Sequence, residues 1–137
     1  MKSKNLSEKI LKSVKSEGFK NIELPSVIEV NHIVQRSGEN FRKFIFSFTD
    51  QNGIELCLRP DLTIVSCLRY LEKRFKTKEK ISYSGQAYRK SQNKKHSIIR
   101  NQIGFEIIGS KDEKDDDKEI INTSLKSLKN LKYSSGK

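Results

Sequence analysis

Tryptophan is absent from this chain, cysteine occurs only twice, and no apolar run approaches the ~18 residues that a membrane-crossing helix needs. A transmembrane helix is therefore excluded and no membrane partner is expected. Met1-Lys2-Ser3-Lys4-Asn5 leads into an amphipathic segment instead of an apolar h-region, so no secretory signal is expected either. Two cysteines cannot supply a metal quartet, and His32 and His96 lie at no ligand spacing from them. Neither a metal nor a cofactor is anticipated. Cys57 and Cys67 each sit inside an apolar stretch, which predicts two buried thiols in a reducing cytoplasm. Hydrophobic residues make up 34% of the chain, where ~45–50% is usual for a globular domain when glycine is counted. A thin core, or one completed by a partner, follows. The 137 residues suit one domain, since domains usually run to ~100–150 residues.

Positive charge is what the chain has in excess. Its formal balance is +11, and residues 69–100 alone carry +9, with only Glu72 and Glu79 opposing eleven basic side chains. Such a block can meet phosphate, in a nucleotide or in RNA. Lysine outnumbers arginine 21 to 7, as on an ordinary solvated face, and no aromatic residues interleave with the lysines as an RNA-stacking surface requires. A basic RNA-binding module is thus the weakest of the functional readings, and nucleic acid is not expected as a partner.

Leu6, Ile10, Leu11 and Val14 recur at helical spacing, and Gly18 supplies a stop. Ile22 to Leu24 and Val27 to Val30 read as extended around Pro25, which restricts pairing to an edge or an interface. Ser37 to Asn40 reads as a turn. Residues 43–59 read as a β-hairpin, with Phe44, Phe46 and Phe48 on one strand, turn chemistry in Asp50-Gln51-Asn52-Gly53, and Ile54, Leu56 and Leu58 on the other. Pro60-Asp61 starts a helix whose apolar face is Leu62, Val65, Leu68, Leu71 and Phe75. Strands follow from Ile81 to Arg89 and from Ile98 to Ile108, joined by the exposed basic loop of residues 90–97. The acidic run Asp112 to Asp117 precedes a last helix that packs through Ile120, Ile121, Leu125, Leu128 and Leu131. The order predicts an α+β fold, an antiparallel sheet flanked by helices, over residues 1–132, with 133–137 as a frayed tail.

Three segments carry chemical information: Leu24-Pro25 with Glu29; Leu58-Arg59-Pro60-Asp61-Leu62-Thr63; and Tyr83 to Arg89 followed by Gln102-Ile103-Gly104-Phe105-Glu106. Asp61 and Thr63 stand at a helix N-terminus, where they can cap orphan amides or meet a ligand. Arg89 ends a strand, as a surface charge or an anion contact. Gln102 and Glu106 share one strand face, opposite Ile103, Phe105 and Ile107. With Gly104 removing bulk between them, that polar row suits a small ligand lying on the sheet, or is simply a wet face.

Together and in this order these segments resemble the histidyl-tRNA synthetase-like core of the class II synthetases. LPSVIE resembles the family's first motif, whose proline (here Pro25) lies at a dimer interface. FSFTD-x-x-G-x-x-L-x-LRPDLT resembles the strand pair and helix lining the amino-acid pocket, and YSGQAYRK with NQIGFEIIG resembles the second motif and the strand after it. The resemblance implies that Asp61 and Thr63, with Gln102 and Glu106, meet the α-amino group of a bound amino acid. It implies that Arg89 faces the carboxylate, or a phosphate of an ancestral nucleotide site; a cationic ammonium facing such acceptors is sound charge-assisted chemistry.

Two branches of the family compete. LRPDLT, with Asp61 where synthetases usually carry Glu, is similar to the catalytically silent regulatory subunit of short-form ATP phosphoribosyltransferase, which serves the first step of histidine biosynthesis. Lys90-Ser91-Gln92-Asn93 stands where a synthetase places an acid and then Arg-Pro, and Ile98-Ile99-Arg100 replaces its Arg-x-Phe. The family's third motif falls beyond residue 137, and without its arginine the ATP tail loses a positive clamp; electrostatic stabilisation of this sort is usually the dominant catalytic term. The resemblance therefore implies a non-catalytic chain whose partner is the phosphoribosyltransferase catalytic subunit. It further implies histidine as ligand and a homo-oligomer within a hetero-oligomer. A truncated synthetase core that activates histidine with ATP is the alternative.

Overall fold

The computed structural model describes residues 2–74, 77–91 and 97–131, so Phe75, most of the basic loop and the expected tail lie outside the described residues. Within the span read as one domain, the chain forms two compact units. The first holds residues 1–23, 73–84 and 103–137, and the second residues 24–72 and 85–102.

The first unit opens with helix α1, Lys2–Ser16, which buries Val14 and ends where Gly18 takes φ +89°, a left-handed conformation that glycine adopts without strain. Phe19 then turns inward and meets Phe105 edge-on, with ring centroids 5.2 Å apart. The short strand β1, Lys20–Asn21, pairs parallel with β5, Glu79–Tyr88, through Lys20 opposite Ile81 and Asn21 opposite Ser82. With β6, Ile99–Ile108, the order of this sheet is β1-β5-β6. The expected α+β class holds, with this parallel pair added to an otherwise antiparallel expectation.

Helix α4, Glu113–Asn130, departs from its sequence pattern twice. The acidic run does not precede the helix but forms its first turn. Asp112 is the N-cap, its Oδ1 accepting from the Asp115 amide at 3.2 Å, and Glu113, Asp115 and Asp116 sit where the helix dipole favours negative charge. The expected apolar face is also turned outward: Ile121, Leu125 and Leu128 are 57, 51 and 61% exposed. The covered stripe is Asp116, Thr123 and Ser127. Its partners are polar. Ser127 Oγ donates to Ser13 Oγ of α1 at 3.3 Å, Asn130 Nδ2 donates to the same oxygen at 3.1 Å, and Lys126 pairs with Glu17 at 2.8 Å. Lys78 and Lys80 of the incoming strand bind Asp116 and Glu119. Buried polar groups pack where partners satisfy them, and here those partners outrank the apolar period.

The second unit is built on a three-stranded antiparallel sheet, order β2-β4-β3: β2 Val27–Glu29, β4 Glu55–Leu58 and β3 Ser47–Thr49. Val27 stands opposite Leu58, and Ser47 opposite Cys57. The hairpin is real but shorter than expected. Asp50 Oδ1 accepts from the amides of Asn52 and Ile54 at 2.8 and 2.9 Å, and Gly53 takes φ +80°. Val30, expected to be extended, instead begins helix α2, Val30–Ser37, and Glu39–Phe44 forms a 3-10 helix in place of the hairpin's first residues. Burial decides this: α2 turns Val30 and Ile33 onto Ile45 and Cys57, all essentially inaccessible, with Ile28, Val34, Phe41 and Ile64 packed around them. Cys57 is thus buried as expected, whereas Cys67 is exposed. Helix α3, Leu62–Glu72, buries Leu62 and Val65, but its expected apolar face fades by Leu71, which is 68% exposed.

Candidate functional site

The joint from β4 to α3 carries the most constrained side chains of the second unit. Arg59 is only 7% exposed, and its guanidinium is spent on main-chain carbonyls. Nε donates to Gln86 O at 2.7 Å, and Nη1 donates to Leu24 O at 2.5 Å and Pro25 O at 3.2 Å. One side chain thereby ties the segment before β2 to the second half of β5. Burial lowers its tendency to hold a proton, yet an arginine stays charged throughout the ordinary pH range. Gly85 makes room for it, since a Cβ there would lie 2.5 Å from Arg59 Nη2 and 3.2 Å from Leu62 Cδ2. Pro25 is itself exposed.

Fixed by that staple, Pro60 is buried and Asp61 caps α3, its Oδ1 accepting from the Ile64 amide at 3.2 Å. Gln102, from β6, completes the helix start: its Oε1 accepts from the Leu62 amide at 3.1 Å while its Nε2 lies 3.5 Å from Asp61 Oδ2. Arg89, just past β5, donates through Nε to Pro60 O at 2.8 Å, sets Nη2 3.6 Å from Asp61 Oδ2, and lies over the Phe41 ring at 5.4 Å. Asp61, Arg89 and Gln102 therefore come together around a cavity of about 230 Å³, which Pro60, Ala87, Arg100 and Asn101 also line. Two arginines against one aspartate leave it with net positive charge.

The other two expected residues stand elsewhere. Thr63 is exposed and lines a separate cavity of about 170 Å³ with His32, Arg36, Ile64, Cys67 and two leucines. Glu106 belongs to the first unit, where it accepts from the Tyr83 hydroxyl. Gly104 leaves no open floor beside it, because a Cβ at that position would lie 2.5 Å from the Tyr83 ring. Arg59 and Arg100 are the residues that sequence reasoning did not name for the site. For Arg100 a signal existed, since it shares the strand face of Gln102 by alternation. Among the described residues no group of three or more His, Cys, Asp or Glu could hold a metal ion, and no helix is long and apolar enough to cross a membrane.

The α+β fold that carries this cleft is of the class II tRNA synthetase-like type. A solved ATP phosphoribosyltransferase regulatory subunit/histidyl-tRNA synthetase from Bacillus halodurans C superposes with a TM-score of 0.77 at 27% identity, covering 96% of this chain and 34% of that one. Over residues 1–136 the sequence matches the histidyl-tRNA synthetase family, and the chain belongs to it. Among curated relatives, a Sinorhizobium fredii protein named ATP phosphoribosyltransferase regulatory subunit is 30% identical over 109 residues, 80% of this chain and 28% of that protein. One of the same name from Chelativorans sp. is 40% identical over 76 residues, 56% of this chain and 20% of the relative. The chain thus spans between a fifth and a third of the length of these curated relatives.

Proposed function

We propose that this chain serves as a non-catalytic regulatory subunit of short-form ATP phosphoribosyltransferase, in the first step of histidine biosynthesis. The observation that carries the reading is its likeness to proteins bearing that name, over four-fifths of its length for the first of them. The cleft adds chemical sense. Asp61 and Gln102 offer acceptors for an ammonium group, and the arginines offer donors for a carboxylate, so a free amino acid is a fitting ligand. Thr63 and Glu106 enter this reading on family resemblance alone. The partner is the catalytic phosphoribosyltransferase subunit, where the enzymatic activity resides. Within that assembly the chain forms a homo-oligomer, Pro25 lying at the interface by analogy.

Histidine regulates in this reading by linkage: a ligand that alters the affinity of the subunit for its partner is itself bound differently by the assembly. The chain is mixed with the catalytic subunit and the phosphoribosyltransferase rate is followed through a full titration. A rise in rate that histidine then modulates is the expected result, and an unchanged rate rejects the reading. Histidine-dependent exchange of pyrophosphate into ATP separates it from the synthetase alternative, and no exchange is expected.

A further inference from the structure

The arginine that family resemblance assigns to the ligand is already partly committed. Arg89 spends Nε on Pro60 O at 2.8 Å, faces Asp61 with Nη2, and packs over Phe41. These contacts fix the Pro60–Asp61 corner, and an anion drawn to Arg89 would have to compete with Asp61 for it. Arg100 stands at the same cavity in the opposite condition. It is exposed, lies on β6 two residues before Gln102, and its side chain has no ion pair or hydrogen bond to another described residue. A strand advances ~3.4 Å per residue and alternates its faces, so Arg100 and Gln102 are neighbours on one face about 7 Å apart, within an arginine's reach.

The acceptor side is equally unfinished. Asp61 Oδ1 is used by the helix cap, but Oδ2 has only long contacts, 3.5 Å to Gln102 Nε2 and 3.6 Å to Arg89 Nη2. A carboxylate oxygen accepts two hydrogen bonds at ~2.7–2.9 Å when its donors are charged, so Oδ2 retains capacity for an ammonium. One under-used acceptor and one uncommitted guanidinium thus border a single cavity, while the second guanidinium serves as a brace.

We infer that Arg100, not Arg89, is the anion anchor of this cleft, holding the carboxylate of a bound α-amino acid while Asp61 Oδ2 receives its ammonium. Arg89 is a positioning residue, which keeps Asp61 aimed. The inference rests on the amino-acid reading of the cleft for its ligand but not for the anion-binding role itself. A phosphate would meet the same guanidinium, and the two sources separate experimentally.

The chain, its Arg100→Gln and Arg100→Lys variants, and Arg89→Gln are each titrated calorimetrically with L-histidine, with histidinol, which lacks the carboxylate, and with inorganic phosphate. Losing a charged hydrogen-bond donor weakens binding roughly tenfold or more. Arg100→Gln is expected to weaken histidine by that factor and leave histidinol unchanged, with Arg100→Lys restoring part of the loss. Arg89→Gln is expected to weaken both ligands alike, so that their ratio stays at the wild-type value. If Arg100→Gln binds histidine as the wild type does, the anchor assignment fails and the amino-acid reading stands. If the wild type ignores histidine but binds phosphate through Arg100, the amino-acid reading fails and the anchor stands. Binding of neither ligand overturns both.

Discussion

At the scale of single residues, close approaches in this chain are set by what glycine leaves out. Gly104→Ala would drive a methyl group to 2.5 Å from the Tyr83 ring. Overpacking of this kind costs ~1–3 kcal/mol, read as a lower urea midpoint at an unchanged denaturant slope. Arg59 is more exposed to loss. Arg59→Met removes the charged hydrogen bonds to the carbonyls of Gln86, Leu24 and Pro25. Such bonds are worth ~1.5–3 kcal/mol each, and water can reach part of these carbonyls in compensation, so a destabilisation on the order of 3 kcal/mol is expected from the same measurement. The cysteines differ in kind. Burial, aided by the charge of Glu55, pushes the Cys57 thiol up to about 11, whereas Cys67 is exposed. At pH 8 a thiol reagent should label one cysteine quickly in the native chain and the second only on unfolding. Two equally fast thiols contradict this core. The sequence placed both in apolar stretches and could not separate them, because alternation and helical period do not reveal that Cys67 falls on an exposed side of α3.

Among the elements, what was legible followed local chemistry. The Asp50–Gly53 turn, the Gly18 stop and the Asp61 cap of α3 all depend on residues within four positions of one another, and all three stand as expected. What was hidden depends on distant partners. Val27 to Val30 reads as extended, and the pocket offered by Ile45 and Cys57 is what favours Val30 as the first residue of a helix. Helix α4 was inverted because its partners are hydroxyls and lysines: Ser13 on α1, and Lys78 and Lys80 before and within β5. This polar seam gives a pH prediction. The hydrogen bond from Lys78, then that from Ser110, holds the Asp116 carboxyl below its ordinary 3.8, and the bond to Asp116 holds Lys78 above its ordinary 10.5. A carboxyl with a lowered folded pKa contributes stability above its unfolded value and loses that contribution as pH falls through the folded one. A lysine with a raised folded pKa contributes fully below its unfolded value and loses the contribution as pH rises through the folded one. The seam is therefore at full strength between pH 5 and 9 and weakens in acid below pH 4. Asp116→Asn should lower the urea midpoint at pH 7 and flatten its fall toward pH 2, and parallel curves for variant and wild type contradict the pairing.

For the molecule as a whole, the family was legible because its signature segments are short and ordered along the chain, while the cleft's inventory was legible only in part. Asp61, Arg89 and Gln102 were named from two of the three segments and do converge on one cavity. Arg100 was noticed only as a departure from a synthetase pattern, since its value depends on Arg89 being engaged elsewhere, which no spacing reveals. The functional account makes the cleft one end of a coupled system whose other end is a partner surface. Coupling between sites typically changes affinity ~5–150-fold and is reciprocal. The most direct measurement is the dissociation constant of the chain for the short-form catalytic subunit, taken without histidine and with histidine at saturation. The account predicts constants that differ at least several-fold, with the affinity for histidine shifting by the same factor on assembly; identical constants, or no complex in either condition, would contradict it.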